Sequence, residues 1–174
     1  PRSWQNVADV RSAMTGASVA GGYHSGLVGV FFDKQYPVLE NAGEAEAFVA
    51  ARVAEGADYF KLLIEDGTIF GHEAPRLSDE MVYALVAAAH AQGLMAVAHA
   101  TTVELALLAI RAGVDGLMHV AGDRLMTDEE VAEVAQSGIF VVPTLSAMAS
   151  AYGDKHGQHL AEDDRTRPLL SDCL

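Results

Sequence analysis

The sequence predicts an α/β protein built from repeated βα units around a parallel sheet, and two observations predict it. Between residues 44 and 145, short apolar runs alternate with amphipathic segments, and a glycine follows each amphipathic segment: Gly56, Gly93, Gly113 and Gly138. The apolar runs are also nearly continuous, the pattern of strands covered on both faces, where strict alternation would mark a sheet with one wet side. Strand, helix and strand in succession give parallel neighbours through a crossover. The 174 residues, 51% hydrophobic, suffice for one domain with a substantial core. It divides into an irregular glycine-rich segment (1–40), the repeated units (41–150) and a polar tail (151–174).

Taken in order, the irregular segment holds Gly16, Gly21, Gly22, Gly26 and Gly29 around His24, a density that marks tight turns or close backbone approach. The run 27–32 is a candidate short strand. In 44–55, Ala45, Phe48, Val49 and Val53 share one helical face, and Gly56 suits the exit. The run 58–64 (DYFKLLI) has strand character and carries Lys61 in its middle, and 65–77 reads as a long loop. Ser78 can cap a helix over 79–92 whose stripe is Val82, Leu85, Val86 and Ala89. A strand over 94–99 follows and stops on His99. Thr101 and Glu104 then have the form of a capping box ahead of Leu105, Leu108, Ala109 and Ala112. The next strand, 114–119, stops on His119. Thr127 and Glu130 repeat the capping box, Val131 and Val134 make the stripe, and a strand over 139–142 closes on Pro143.

Charge and cysteine usage restrict the partners. A formal net charge of −13 opposes nucleic acid and anionic membranes alike, since both present phosphate. A small-molecule substrate is the expected partner. No apolar run reaches the ~18 residues of a membrane span, and the first residues lack the basic and then apolar pattern of a signal peptide. The one cysteine, Cys173, offers no disulfide framework. Together these features suit a cytoplasmic protein. The chain opens on Pro1, as trimming of a longer chain would leave it.

In parallel α/β folds the carboxyl ends of the strands open onto the loops that hold the site. Lys61, His99, His119 and Thr144 fall at or near that end. Two neutral imidazoles on adjacent strand ends can converge on one metal ion. A lysine among apolar neighbours is costly to bury charged, so its ammonium is lost, modified or carried out to solvent on its stem. Asp66 can orient substrate or simply make a turn. His72 can line the pocket mouth or stand exposed in its loop, and Thr144 can contact substrate. His90 should face away from the strand ends, and His156 and His159 resemble a metal pair by type only.

In order and in element, these residues match a known pattern. Residues 41–150 resemble the metal-dependent amidohydrolase superfamily, in particular its imidazolonepropionase-like and prolidase-like branch, through EAEAFVAARVAEGADYFKLLIEDG, AAAHAQGLMAVAHATT, AIRAGVDGLMHVAGD and SGIFVVPTLS. The resemblance implies a partial (β/α)8 TIM-type barrel. It implies a catalytic Lys61 carboxylated by CO2 and bridging two divalent metals, zinc foremost, with His99 and His119 holding the second metal and FVVPTLS as the seventh strand. It further implies hydrolysis of an amide or other C–N bond, in a dipeptide, a cyclic amide or an N-acyl amino acid, by metal-activated hydroxide. The chemistry is coherent: a carbamate is anionic and bidentate, so it can hold two cations together, and these lower the pKa of a bridging water.

The chain departs from the family pattern in three places. The family holds its first metal with an HxH pair, and no HxH occurs in these 174 residues. Its aspartate on the eighth strand lies beyond the matching region. A GGH-like loop near the site is here GGYH, ending on His24. Too few βα units are present to close eight strands. The chain is therefore expected to be part of a longer parent, or an incomplete barrel that covers its edges by forming a homo-oligomer. The rival expectation is a non-catalytic partial barrel that self-associates and binds no metal.

Overall fold

The structure, a computed structural model, describes residues 8–26, 36–71 and 73–145. Its centre is one four-stranded sheet in the order β1 (Phe60–Leu63), β2 (Ala96–His99), β3 (Gly116–Met118) and β4 (Phe140–Val142), parallel throughout. Four helices connect or precede the strands: α1 (Ala45–Ala54), α2 (Asp79–Ala91), α3 (Val103–Arg111) and α4 (Asp128–Ser137). On the outer side of β1, Ala17 forms a single parallel bridge to Leu62; its N–H donates to the Lys61 carbonyl at 2.8 Å, and its own carbonyl accepts from Leu63 N–H at 3.0 Å. The glycine-rich segment therefore contributes one rung beside β1. The candidate strand at 27–32 and the polar tail lie outside the described residues.

Register decides which side chains can meet. Leu63, His99, Met118 and Val142 are partners across the sheet and form one layer; Lys61, Val97, Gly116 and Phe140 form the next. Because side chains alternate with period two, both layers point to the same face. The opposite face belongs to the helices. Phe60, Leu62, Ala96, Ala98 and Leu117 pack there with Leu39, Val49, Val82, Leu85, Val86 and Leu105 in one apolar cluster. Full burial of each large side chain contributes roughly 1.5–3 kcal/mol. Phe48 of α1 meets Phe60 edge to face at 6.3 Å.

The helix signals are realised with one shift. Ser78 caps α2 by accepting from Met81 N–H, and Val82, Leu85, Val86 and Ala89 are all buried. Thr127 and Glu130 form the reciprocal capping box of α4. At α3 the cap is Thr102, whose side chain accepts from Leu105 N–H, and not Thr101. Both threonines can supply an oxygen, but Thr101 is turned to a buried carboxylate.

The expectation of strands covered on both faces fails at the fourth strand. Phe140, Val141 and Val142 are each 41–42% exposed, Val131 is 52% exposed, and α4 buries no residue. No described strand lies beyond β4, so the stripe of Val131 and Val134 lacks the layer that would cover it. Among the described residues no helix is long and apolar enough to cross a membrane.

Candidate functional site

The carboxyl end of the sheet gathers three imidazoles in a row. His99 is the last residue of β2, and His119 follows the last residue of β3. Their ring centroids lie 4.6 Å apart, steeply inclined at 75°. On the other side of His99, His24 packs at 4.4 Å and 80°. Lys61 belongs to the layer beneath, on the same face of the sheet. The structure therefore brings Lys61, His99 and His119 to one end, as the sequence predicts, and adds His24.

Burial sets the charge of this cluster. It lowers His24 to about 4, assisted by the neighbouring His99, and lowers His119 to about 4, with further contributions from His99 and Lys61. Burial likewise lowers the Lys61 ammonium from 10.5 to about 8. No described residue forms a hydrogen bond or ion pair with that ammonium. The amine is thus far easier to deprotonate than an ordinary lysine, and deprotonated amine is the form that can add CO2.

Two contacts fix the rings. His99 Nε2 lies 3.0 Å from Glu65 Oε2, and Thr101 Oγ1 donates to the same carboxylate oxygen. Glu65 Oε1 accepts from Gly67 N–H at 2.9 Å. The Glu65 side chain is 1% exposed. Burial raises its pKa, yet the hydrogen bonds from His99, Thr101 and Gly67 outweigh burial and hold it below the usual carboxylate value. His119 Nδ1 hydrogen-bonds Thr144 Oγ1. Both partners sit in the left-handed region, His119 at φ 76° and Thr144 at φ 48°. Such a backbone costs roughly 1–3 kcal/mol per non-glycine residue and persists only where the surroundings enforce it.

The remaining candidates separate clearly. Asp66 accepts from Thr68 N–H at 2.9 Å, so its carboxylate closes a turn. Thr144 stands at the site through His119. His72, His156 and His159 lie outside the described residues. His90 bonds Asp115 Oδ2 at 3.0 Å, and that oxygen also accepts from Ala96 N–H at the start of β2, the end of the sheet remote from the imidazoles.

Sequence reasoning passed over Glu65 and Thr101 and left His24 without a role. The signal for Glu65 was present: Lys61, Leu63 and Glu65 share the period of two that carries the inner face one step past the strand. Thr101 was assigned a capping role that its neighbour performs. His24 had its glycine-rich setting and its place at the end of GGYH, an imperfect counterpart of the family's GGH-like loop.

The donors fit part of a metal centre. Each of His99 and His119 has one ring nitrogen held by an oxygen, which leaves the other available, the usual arrangement when imidazole ligates a metal. Among the described residues, however, no group of three or more His, Cys, Asp or Glu side chains is arranged to hold an ion. Two imidazoles with a nearby lysine amine are half of the ligand set that the sequence resemblance implies.

Comparison with known proteins agrees in fold and in extent. The model of the amidohydrolase family matches residues 4–167. An uncharacterized protein of Mycobacterium bovis is 34% identical over 109 residues, covering 62% of this chain and 28% of that protein. Among solved structures, an Xaa-Pro dipeptidase with methionine bound in its active site is 27% identical, with a TM-score of 0.68 over 95% of this chain and 42% of the dipeptidase. The A. niger ochratoxinase, 17% identical, shares the fold with a TM-score of 0.67, over 94% of this chain and 40% of that one. The chain thus spans 28% of that mycobacterial relative and 40–42% of these two structures.

Proposed function

The chain belongs to the amidohydrolase family, and from that premise we propose that it forms part of the catalytic barrel of a metal-dependent hydrolase of amide or other C–N bonds. A dipeptide is the favoured substrate class, because the dipeptidase is 27% identical and its likeness covers 95% of this chain. A cyclic amide or an N-acyl amino acid presents the same bond to the same end of the sheet.

One observation carries the reading: His99 and His119 stand 4.6 Å apart at the carboxyl end of a parallel sheet, above a lysine whose amine burial has depressed to about 8. In this reading Lys61, as a CO2-derived carbamate, and the free nitrogens of His99 and His119 hold a divalent ion, zinc in the first instance. Such an ion supplies Lewis acidity, lowering the pKa of a water and polarising a carbonyl. The chain's own groups set the stage. Neutral rings at His24 and His119 keep lone pairs available near pH 7. Thr144 anchors the His119 ring, and His24 walls the other side of His99. Thr144, Asp66 and His72 are the candidates for contact with substrate.

The test is zinc content and turnover of an Xaa-Pro dipeptide by the full protein, compared among wild type, Lys61→Ala, His99→Ala and His119→Ala. Each variant should lose bound zinc and at least about a hundredfold in kcat/KM, on the scale of removing one element of a catalytic constellation. Wild-type metal content and turnover in all three would refute the reading, whereas a wild-type protein that takes up no metal and turns over no dipeptide would favour a non-catalytic partial barrel.

A further inference from the structure

Glu65 is one of the few buried charged side chains, and the hydrolytic reading gives it no role. Its surroundings are specific. Both carboxylate oxygens are occupied by donors, Oε1 by Gly67 N–H at 2.9 Å and Oε2 by the Thr101 hydroxyl and the His99 ring. The Thr101 side chain has been drawn from the helix cap it could have made, and Thr102 caps α3 in its place. A carboxylate so surrounded can only accept.

We propose that Glu65 is a positioning residue that locks the His99 ring with Nε2–H toward the carboxylate, so that Nδ1 is the nitrogen presented to the site. With Oε2 accepting, the shared proton resides on Nε2, and a neutral imidazole has one N–H. His24 and His119 pack against the two sides of the ring at 4.4 and 4.6 Å and oppose its rotation about χ2. Register contributes as well: Leu63 is the partner of His99 across the sheet, and Ile64 N–H donates to the His99 carbonyl at 2.9 Å, so Glu65 leaves β1 directly beside the ring it holds. Thr101 fixes the carboxylate in turn. This assignment rests on the proposed function for its purpose, namely presenting Nδ1 to a metal, but the tautomer itself is a property of the metal-free chain.

The experiment separates the two. Long-range 1H–15N correlation spectra of the full metal-free protein read the His99 tautomer, and competition with a chromophoric chelator reads affinity for Zn2+. Wild type should show Nε2–H at His99. In Glu65→Gln the amide oxygen is claimed by Gly67 N–H, so the amide donors face His99; the ring should turn to the Nδ1–H form, and Zn2+ should bind about 10–100-fold more weakly. Thr101→Val should keep the Nε2–H tautomer. A wild-type ring in the Nδ1–H form overturns the assignment even if no variant folds. So does a Glu65→Gln protein with wild-type tautomer and wild-type zinc affinity. If the tautomer responds as stated while wild type takes up no Zn2+, the orientation of His99 stands and the proposed function falls.

Discussion

Replacing Lys61 with Met is expected to stabilise the chain below pH 8, although it removes a residue proposed for catalysis. Burial brings the ammonium from 10.5 in the unfolded chain to about 8 in the folded one. Between these values the unfolded chain binds more protons, so stability rises with pH through that window and the penalty is present in full below it. At about 1.4 kcal/mol per pH unit, the gap corresponds to about 3 kcal/mol. Lys61 is only partly buried, and allowing for solvent screening leaves about 2 kcal/mol. Methionine keeps the length of the stem and supplies a flexible apolar filler. Urea unfolding in CO2-free buffer should therefore show Lys61→Met more stable than wild type by about 2 kcal/mol at pH 7, with the difference shrinking toward zero near pH 10.5. Bicarbonate should narrow the gap from the other side, since a carbamate removes the ammonium from wild type and leaves the variant untouched. A variant less stable than wild type at pH 7, or a difference that ignores pH, would refute the argument that a partly buried ammonium with no partner among the described residues strains this face.

Two further outcomes follow from the same layers. A side chain at Gly116 would meet the Phe140 ring at 2.4 Å, so Gly116→Ala should cost about 1–3 kcal/mol in urea unfolding, and the cost should shrink in a Phe140→Ala background; equal costs in both backgrounds would show that the ring is not the obstacle. His24 and His119, both held near 4 against an ordinary 6.5, take up protons on unfolding, so the urea midpoint should fall as pH drops from about 6.5 toward 4. An unchanged midpoint between pH 7 and 5 would contradict the neutral cluster.

Much of this architecture was legible because each strand and helix signal is local. Ser78 and Thr127 cap where the spacing places them, and Val82, Leu85, Val86 and Ala89 face inward because a period of 3.6 leaves them no other side. Lys61, His99 and His119 were legible for a related reason: a strand end is a one-dimensional feature, and parallel strands put their ends together. Glu65 was legible only in its facing, since a carboxylate after a strand is ordinarily solvated, and only three donors from Gly67, Thr101 and His99 make its burial tolerable. Those donors are 2 to 36 residues away in the chain, and no window short enough to show periodicity contains them all.

The fourth strand shows where local signals and burial part company. Helix α4 has the most complete cap in the structure, with Thr127 and Glu130 satisfying each other's orphan donors, and yet it buries nothing. Capping decides whether a helix starts; a covering layer decides whether its stripe is worth burying. Phe140, Val141 and Val142 are apolar and about 41% exposed, and among the described residues β4 has a partner strand on one side only. In a closed barrel a further strand would take up the free edge and bring the inner faces of β1 and β4 into one enclosed interior. The imidazole row lies at the β1 to β3 end of this sheet, where both neighbours of β2 are present. The His99 ring is held there by Glu65, His24 and His119, while Thr144, just beyond β4, holds His119 from the exposed margin.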